Sequence, residues 1–111
     1  VYKFRVEFLE EAAKFLENLD KKTRDKLYYN IWKARSNNDP ELFKKLEDDI
    51  WEFRAKYGNK YVRLLAFWSK ANKEDTLVIA TNGFLKTTAK TPKAEIEKAK
   101  KLKEEYLTTK K

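Results

Sequence analysis

The 111-residue sequence has no cysteine, no histidine, and only two glycines and two prolines. Without cysteine there is no disulfide, no thiolate nucleophile and no thiolate metal site. Without histidine the commonest metal ligand and the commonest general base are missing too. Any reaction must draw on carboxylates, lysine, arginine, tyrosine, serine or threonine. Gly58 and Gly83 stand too far apart to build a phosphate-cradling loop. So little glycine and proline also excludes a collagen-like or linker-like chain. No apolar run approaches the roughly 18 residues of a membrane span. The opening Val1–Arg5 alternates and does not read as a signal peptide. A cytoplasmic setting without a membrane partner is the expectation.

Aromatic residues make up 14% of the chain, which argues for a packed core although 40% of residues are charged. The length suits a single domain over residues 1–111. Net charge is +8, and it is unevenly placed. Residues 1–49 carry 11 basic and 11 acidic side chains, whereas residues 50–111 carry 15 and 7. A basic field confined to one part of the chain attracts phosphate, nucleic acid or an acidic protein. A lysine-rich solvated helix would give the same count.

Tyr2–Phe8 alternates apolar and charged residues, the pattern of a half-buried strand. From Leu9 to Leu19 the period becomes helical, with Ala12, Ala13 and Leu16 on the stripe. Asp20 is placed to cap a second helix carrying Leu27, Ile31 and Ala34 inward and fading at Ser36-Asn37-Asn38. The two helices are expected to form a hairpin. Asp39-Pro40 reads as N-cap and first position of a short helical turn through Leu46. Period two then returns over Ile50–Ala55, Tyr61–Trp68 and Thr76–Phe84, an antiparallel meander with a turn at Tyr57–Lys60 and a polar loop at Ser69–Asp75. The last of these strands is expected to end at Asn82-Gly83. Thr91-Pro92 again reads as N-cap and first position, opening a final helix with Ile96, Ala99, Leu102 and Tyr106 inward. The order is β-α-α-β-β-β-α: an α+β domain with helices on a small antiparallel sheet.

Arg54 and Arg63 sit inside strands otherwise rich in bulky apolar groups, and antiparallel pairing would bring them together. A guanidinium offers fixed paired donors that suit phosphate. An ion pair with Glu52 or another carboxylate on an open sheet face is the alternative. Lys86 follows the last strand among Thr87, Thr88, Lys90 and Thr91, a stretch that equally suits a plain polar connector. The adjacent acids Asp48-Asp49 and Glu10-Glu11 point apart and form no convergent pair. Trp32, Trp51 and Trp68 lie at core-like positions, while Tyr57 and Tyr61 flank a turn and suit the surface.

The run Ile50-Trp51-Glu52-Phe53-Arg54, then Gly58, then Tyr61-Val62-Arg63-Leu64 resembles the paired strands of a known family. So does Asn82-Gly83-Phe84-Leu85-Lys86, continued by Lys90-Thr91-Pro92 and by Glu95, Ile96, Ala99 and Tyr106. The family is the phage-derived, HigB-like branch of the RelE/ParE toxins of bacterial toxin–antitoxin systems. Where it usually shows two consecutive lysines, this chain has Lys86-Thr87, one cation fewer.

The resemblance implies a ribosome-associated endoribonuclease that cleaves mRNA by 2′-OH attack without metal or other cofactor. It also implies a neutralising antitoxin, often a helix-turn-helix protein. Arg54, Arg63 and Lys86 become the expected catalytic residues, the arginines on phosphate and the lysine on proton transfer or charge. Tyr57, Tyr61, Thr87, Thr88 and Lys90 become the expected substrate contacts. Two other outcomes share the fold: a ParE-like toxin that binds DNA gyrase, and an inactive relative that binds only nucleic acid or antitoxin.

Overall fold

The computed structural model describes residues 3–69, 77–87 and 90–109. In chain order these form β1 (Arg5–Phe8), α1 (Glu10–Glu17), α2 (Lys21–Ser36), β2 (Phe43–Glu47), β3 (Ile50–Tyr57), β4 (Lys60–Ser69), β5 (Leu77–Leu85) and α3 (Lys93–Thr109). The strands make one sheet in the order β1-β5-β4-β3-β2. Tyr2, Thr76, Thr88 and most of the loop expected before β5 lie outside the described residues.

The α+β reading stands, and the structure corrects it in several places. Asp39-Pro40 opens a single turn, in which Leu42 and Phe43 donate to the Asp39 carbonyl, and not a helix. The chain then runs as β2, antiparallel to β3. The cause is tertiary: the Phe43 ring stacks 4.1 Å from Phe53 and 4.9 Å from Trp51. Burying that ring outweighs the local helix preference of its neighbours. Next, β1 pairs with β5 in parallel, so the sheet is mixed. Lastly, α1 lies on β5 and α2 on β3, so each apolar stripe faces the sheet and not a hairpin partner.

Both faces of the sheet are used. On one, Ala12 and Leu16 of α1 and Leu27, Ile31 and Ala34 of α2 pack on Phe53, Ala55, Val62, Leu64, Ala66, Val78 and Ala80. On the other, Ala99, Tyr106 and Leu107 of α3 cover Ile50, Leu65, Phe67, Leu77 and Ile79. The α1–α2 joint is fastened as the sequence suggests. Asp20 accepts from the Thr23 N–H at 3.1 Å and from its hydroxyl at 2.7 Å. Lys60 donates to the same carboxylate, which these contacts hold below the usual carboxylate range. Arg24 reaches the Leu16 carbonyl in the last turn of α1 and the Leu19 carbonyl beyond its end.

A bulge in β5 sets what each face carries. Leu65 pairs with Asn82 but Ala66 pairs with Ala80, leaving Thr81 as the extra residue. Its hydroxyl is tied to the Leu65 carbonyl and to Asn82. The extra residue inverts the alternation beyond it. Asn82 and Phe84 therefore face α3, as Leu77 and Ile79 do before it. Gly83 turns to the opposite face against α1, where a Cβ would lie 2.3 Å from the Phe15 ring. The strand does not stop at Asn82-Gly83 but continues through Leu85 to present Lys86.

Candidate functional site

α3 covers only part of its face of the sheet, and the rest is lined by cations. Arg54 of β3 and Arg63 of β4 are direct cross-strand partners. Lys86 lies beyond the end of β5, where its N–H donates to the Tyr61 carbonyl at 2.7 Å. The bulge at Thr81 puts Lys86 in phase with Tyr61 and Arg63. Lys44 of β2 stands opposite Glu52 in the register. Four cations from four strands or strand ends therefore converge on one carboxylate.

That carboxylate is buried. Glu52 is 3% exposed, with the Arg63 and Arg54 Nε atoms 3.5 and 3.7 Å from its Oε1. The Thr91 hydroxyl donates to its other oxygen. Thr91 is therefore not the helix cap expected of it. Pro92 supplies the first helical acceptor, to Ile96, and the Thr91 side chain locks α3 to the site. Asn82 adds a second tie, donating to both the carbonyl and the carboxylate of Glu95.

Both arginine Nε–H groups are buried without a hydrogen-bond partner. Elsewhere Arg63 donates from Nη1 to the Val62 carbonyl, and Arg54 reaches the Pro40 carbonyl at 3.5 Å. One carboxylate does not neutralise two guanidiniums and two lysines, so the cluster keeps a positive surplus. Burial, followed by the Arg54 charge, works against the charged form of Arg63, and Glu52 opposes that. Burial and then Arg63, Arg54 and Lys44 push the Lys86 amine below the ordinary lysine value, again with Glu52 opposing. Such a lysine gives up its proton more readily than one in water.

The other expected site residues divide. Tyr61 is half-exposed and lines a groove of about 470 Å³ with Arg54, Arg63, Lys56, and Lys26 and Asn30 of α2. Asn30 fixes that wall by donating to the Arg54 carbonyl at 2.9 Å. Tyr57 is exposed at the far end of β3, beside the turn. Thr87 and Lys90 are exposed flanks of the connector, and Thr88 lies outside the described residues. Trp51 and Trp68 pack against the core as expected, but Trp32 does not, being 49% exposed on α2. The acids behave as expected, since Asp48 and Asp49 pair with different lysines of α3.

Sequence reasoning named Glu52 only as an alternative partner, placed Thr91 only in the connector beside Lys86 and at the helix cap, and missed Lys44 and Lys26. Glu52 had a signal: it shares the Arg54 side of an otherwise aromatic strand. Lys44 was hidden by the helical reading of its segment.

Comparison with known proteins bears on this geometry. The family described as "Phage derived protein Gp49-like" matches residues 14–104. No curated protein sequence matches the chain. Among solved structures, the free E. coli toxin RelE, as an arginine-to-alanine double mutant, superposes with a TM-score of 0.62 at 18% identity. That match covers 91% of this chain and 97% of the other. The intact E. coli RelBE toxin–antitoxin complex gives a TM-score of 0.57 at 19% identity, over 79% of this chain and 100% of the matched one. The architecture is therefore that of RelE.

Proposed function

Because this chain belongs to the phage-derived Gp49-like family and has the RelE fold, we propose that it is the toxin of a toxin–antitoxin pair, a ribosome-associated endoribonuclease that cuts mRNA. The observation that carries the reading is the convergence of Arg54, Arg63 and Lys86 around one buried carboxylate, with cationic surplus to spare. RNA holds its own nucleophile, the 2′-OH, beside the phosphate it attacks. The protein need only position it, accept its proton and stabilise the charge that builds on phosphorus.

In this reading Arg54 and Arg63 bind the phosphate oxygens. Lys86, in its neutral form, takes the 2′-OH proton. The 2′-oxygen bonds to phosphorus, the bond to the 5′-oxygen breaks, and that oxygen picks up a proton from water, whose hydroxide takes back the proton held by Lys86. The products are a 2′,3′-cyclic phosphate and a 5′-OH. No step calls for a metal ion, and a chelator should leave cleavage unchanged where the ribosomes stay intact.

The matched RelBE structure is a toxin–antitoxin complex. An antitoxin partner is proposed here as well, of helix-turn-helix type, drawn in by the field of residues 50–111. Induced expression without that partner should arrest growth and leave mRNA with new 5′ ends on ribosomes. Arrest of replication with intact mRNA would point instead to gyrase. Normal growth with soluble protein would reject any toxin.

Lys86 also fixes a pH dependence. The working form is the neutral amine, so cleavage should rise with pH as Lys86 loses its proton. Lys44 is one of the charges that lower its pKa. Lys44→Ala should therefore raise the Lys86 pKa and move the acidic limb of the pH–rate profile to higher pH. A limb that stays put, or moves the other way, would remove Lys86 as the base.

A further inference from the structure

The groove at the arginines does not end on the sheet. It passes the end of β3 where β2 no longer covers the edge and reaches α2, whose Lys26 and Asn30 form its far wall. Beyond that wall the exposed side of α2 has its own pattern. Lys26, Tyr29 and Lys33 follow one another at i, i+3 and i+7, and so share one stripe. Tyr29 is 50% exposed, with the Lys26 ammonium 5.3 Å and the Lys33 ammonium 5.6 Å from its ring centroid. Trp32, also exposed, stands 6.0 Å from the same ring. On the sheet side Lys56 sits 5.0 Å over the Tyr61 ring. Among the described residues none of these three lysines is ion-paired.

We propose that Lys26, Tyr29 and Lys33 of α2 form a second contact for single-stranded RNA, continuing the strand whose scissile phosphate lies on Arg54 and Arg63. The proposal rests on the reading of those arginines as the phosphate site. Cations beside exposed rings are the combination single strands use: rings stack bases of any sequence while ammonium groups follow the phosphates. The carboxylates of the groove, Asp39 and Glu41, lie on the loop preceding β2. They keep the backbone path on the α2 and β4 side. Tyr61 and Tyr29 then bracket the bend, one on each side of the sheet edge.

The test uses the full chain and two uncleavable 2′-O-methyl RNAs of mixed sequence. One has about 4 nucleotides and fits the sheet site alone; the other has about 12, within the range single-strand binding surfaces occupy. Fluorescence anisotropy reads both. The longer RNA should bind more tightly and with a steeper salt dependence. The Tyr29→Ala, Lys33→Ala double variant, whose residues lie outside the groove lining, should lose about tenfold or more for the longer RNA, with a shallower salt slope, and nothing for the shorter. Tyr29→Phe alone, which keeps the ring, should bind like the parent. Equal affinity for the two lengths, or a double variant that binds both like the parent, would overturn the α2 contact. Short-RNA binding that Arg54→Ala abolishes would leave the reading of the arginines standing even then. If neither RNA binds the parent chain, both readings fall.

Discussion

Arg54→Ala should cleave ribosome-bound mRNA about a hundred to a thousand times more slowly than the parent chain while remaining folded. The size is that of losing one preorganised donor to transition-state charge, about 2.7–4 kcal/mol. Folding should survive because the Arg54 side chain is 29% exposed and its strand is held by the Phe53 and Ala55 packing on either side. Arg63→Ala should be at least as slow, but its side chain is only 6% exposed, so its loss also strips Glu52 of a buried partner. Arg54 is therefore the cleaner probe. Arg54→Lys keeps the charge and loses the planar fork, and should remain impaired if two parallel donors grip phosphate. Lys86→Ala should be impaired at every pH. Lys21→Ala should cleave normally, because Lys21 is an exposed partner of Asp25 on α2, away from the sheet face. Mapping 5′ ends, with circular dichroism on each variant, decides it. Full cleavage by folded Arg54→Ala and Lys86→Ala proteins would falsify the site assignment.

Glu52→Gln should unfold the protein far more readily, although it changes a single charge. The amide still accepts from Thr91, but Arg54 and Arg63 lose their shared counter-charge within a buried setting. Removing one partner from a buried ion pair typically destabilises by about 3–5 kcal/mol. For a domain of this length the melting temperature should fall by on the order of 15 °C. Adding Arg63→Gln should return much of that loss, since the pair is then removed from both sides. A single Glu52→Gln variant that melts within about 2 °C of the parent would mean that solvent already screens the cluster.

The elements with strong local pattern were readable from sequence. Leu27, Ile31 and Ala34 are buried on α2, Trp51, Phe53 and Ala55 share the core side of β3, and Asp20 caps as expected. The pairing of Arg54 with Arg63 followed from two adjacent strands and a short turn. What stayed hidden depends on distant contacts. Phe43 becomes a strand residue because Phe53 and Trp51 receive its ring, about ten residues away in sequence. Thr91 looks like a cap until Glu52, 39 residues earlier, is placed beside it. The phase of Lys86 depends on one extra residue at Thr81, and a bulge in the middle of an apolar strand leaves no clear mark in periodicity. Trp32 shows the converse error: a large aromatic on a helix reads as core, yet it lies on the solvent side of α2.

The parallel pairing of β1 with β5 bears on how the chain is made. Arg5 pairs with Leu77 and Phe8 with Ala80, so β1 waits for β5, which is made later. β5 lies between β1 and β4, and its far end presents Lys86. Closing so long a loop is entropically unfavourable, and contacts of this sequence separation form late. A nascent chain that stops short of Lys86 therefore holds Arg54 and Arg63 but neither the completed sheet nor the lysine beside them. The full cationic face closes only once the chain has been made through Lys86 and β5 has been inserted between β1 and β4.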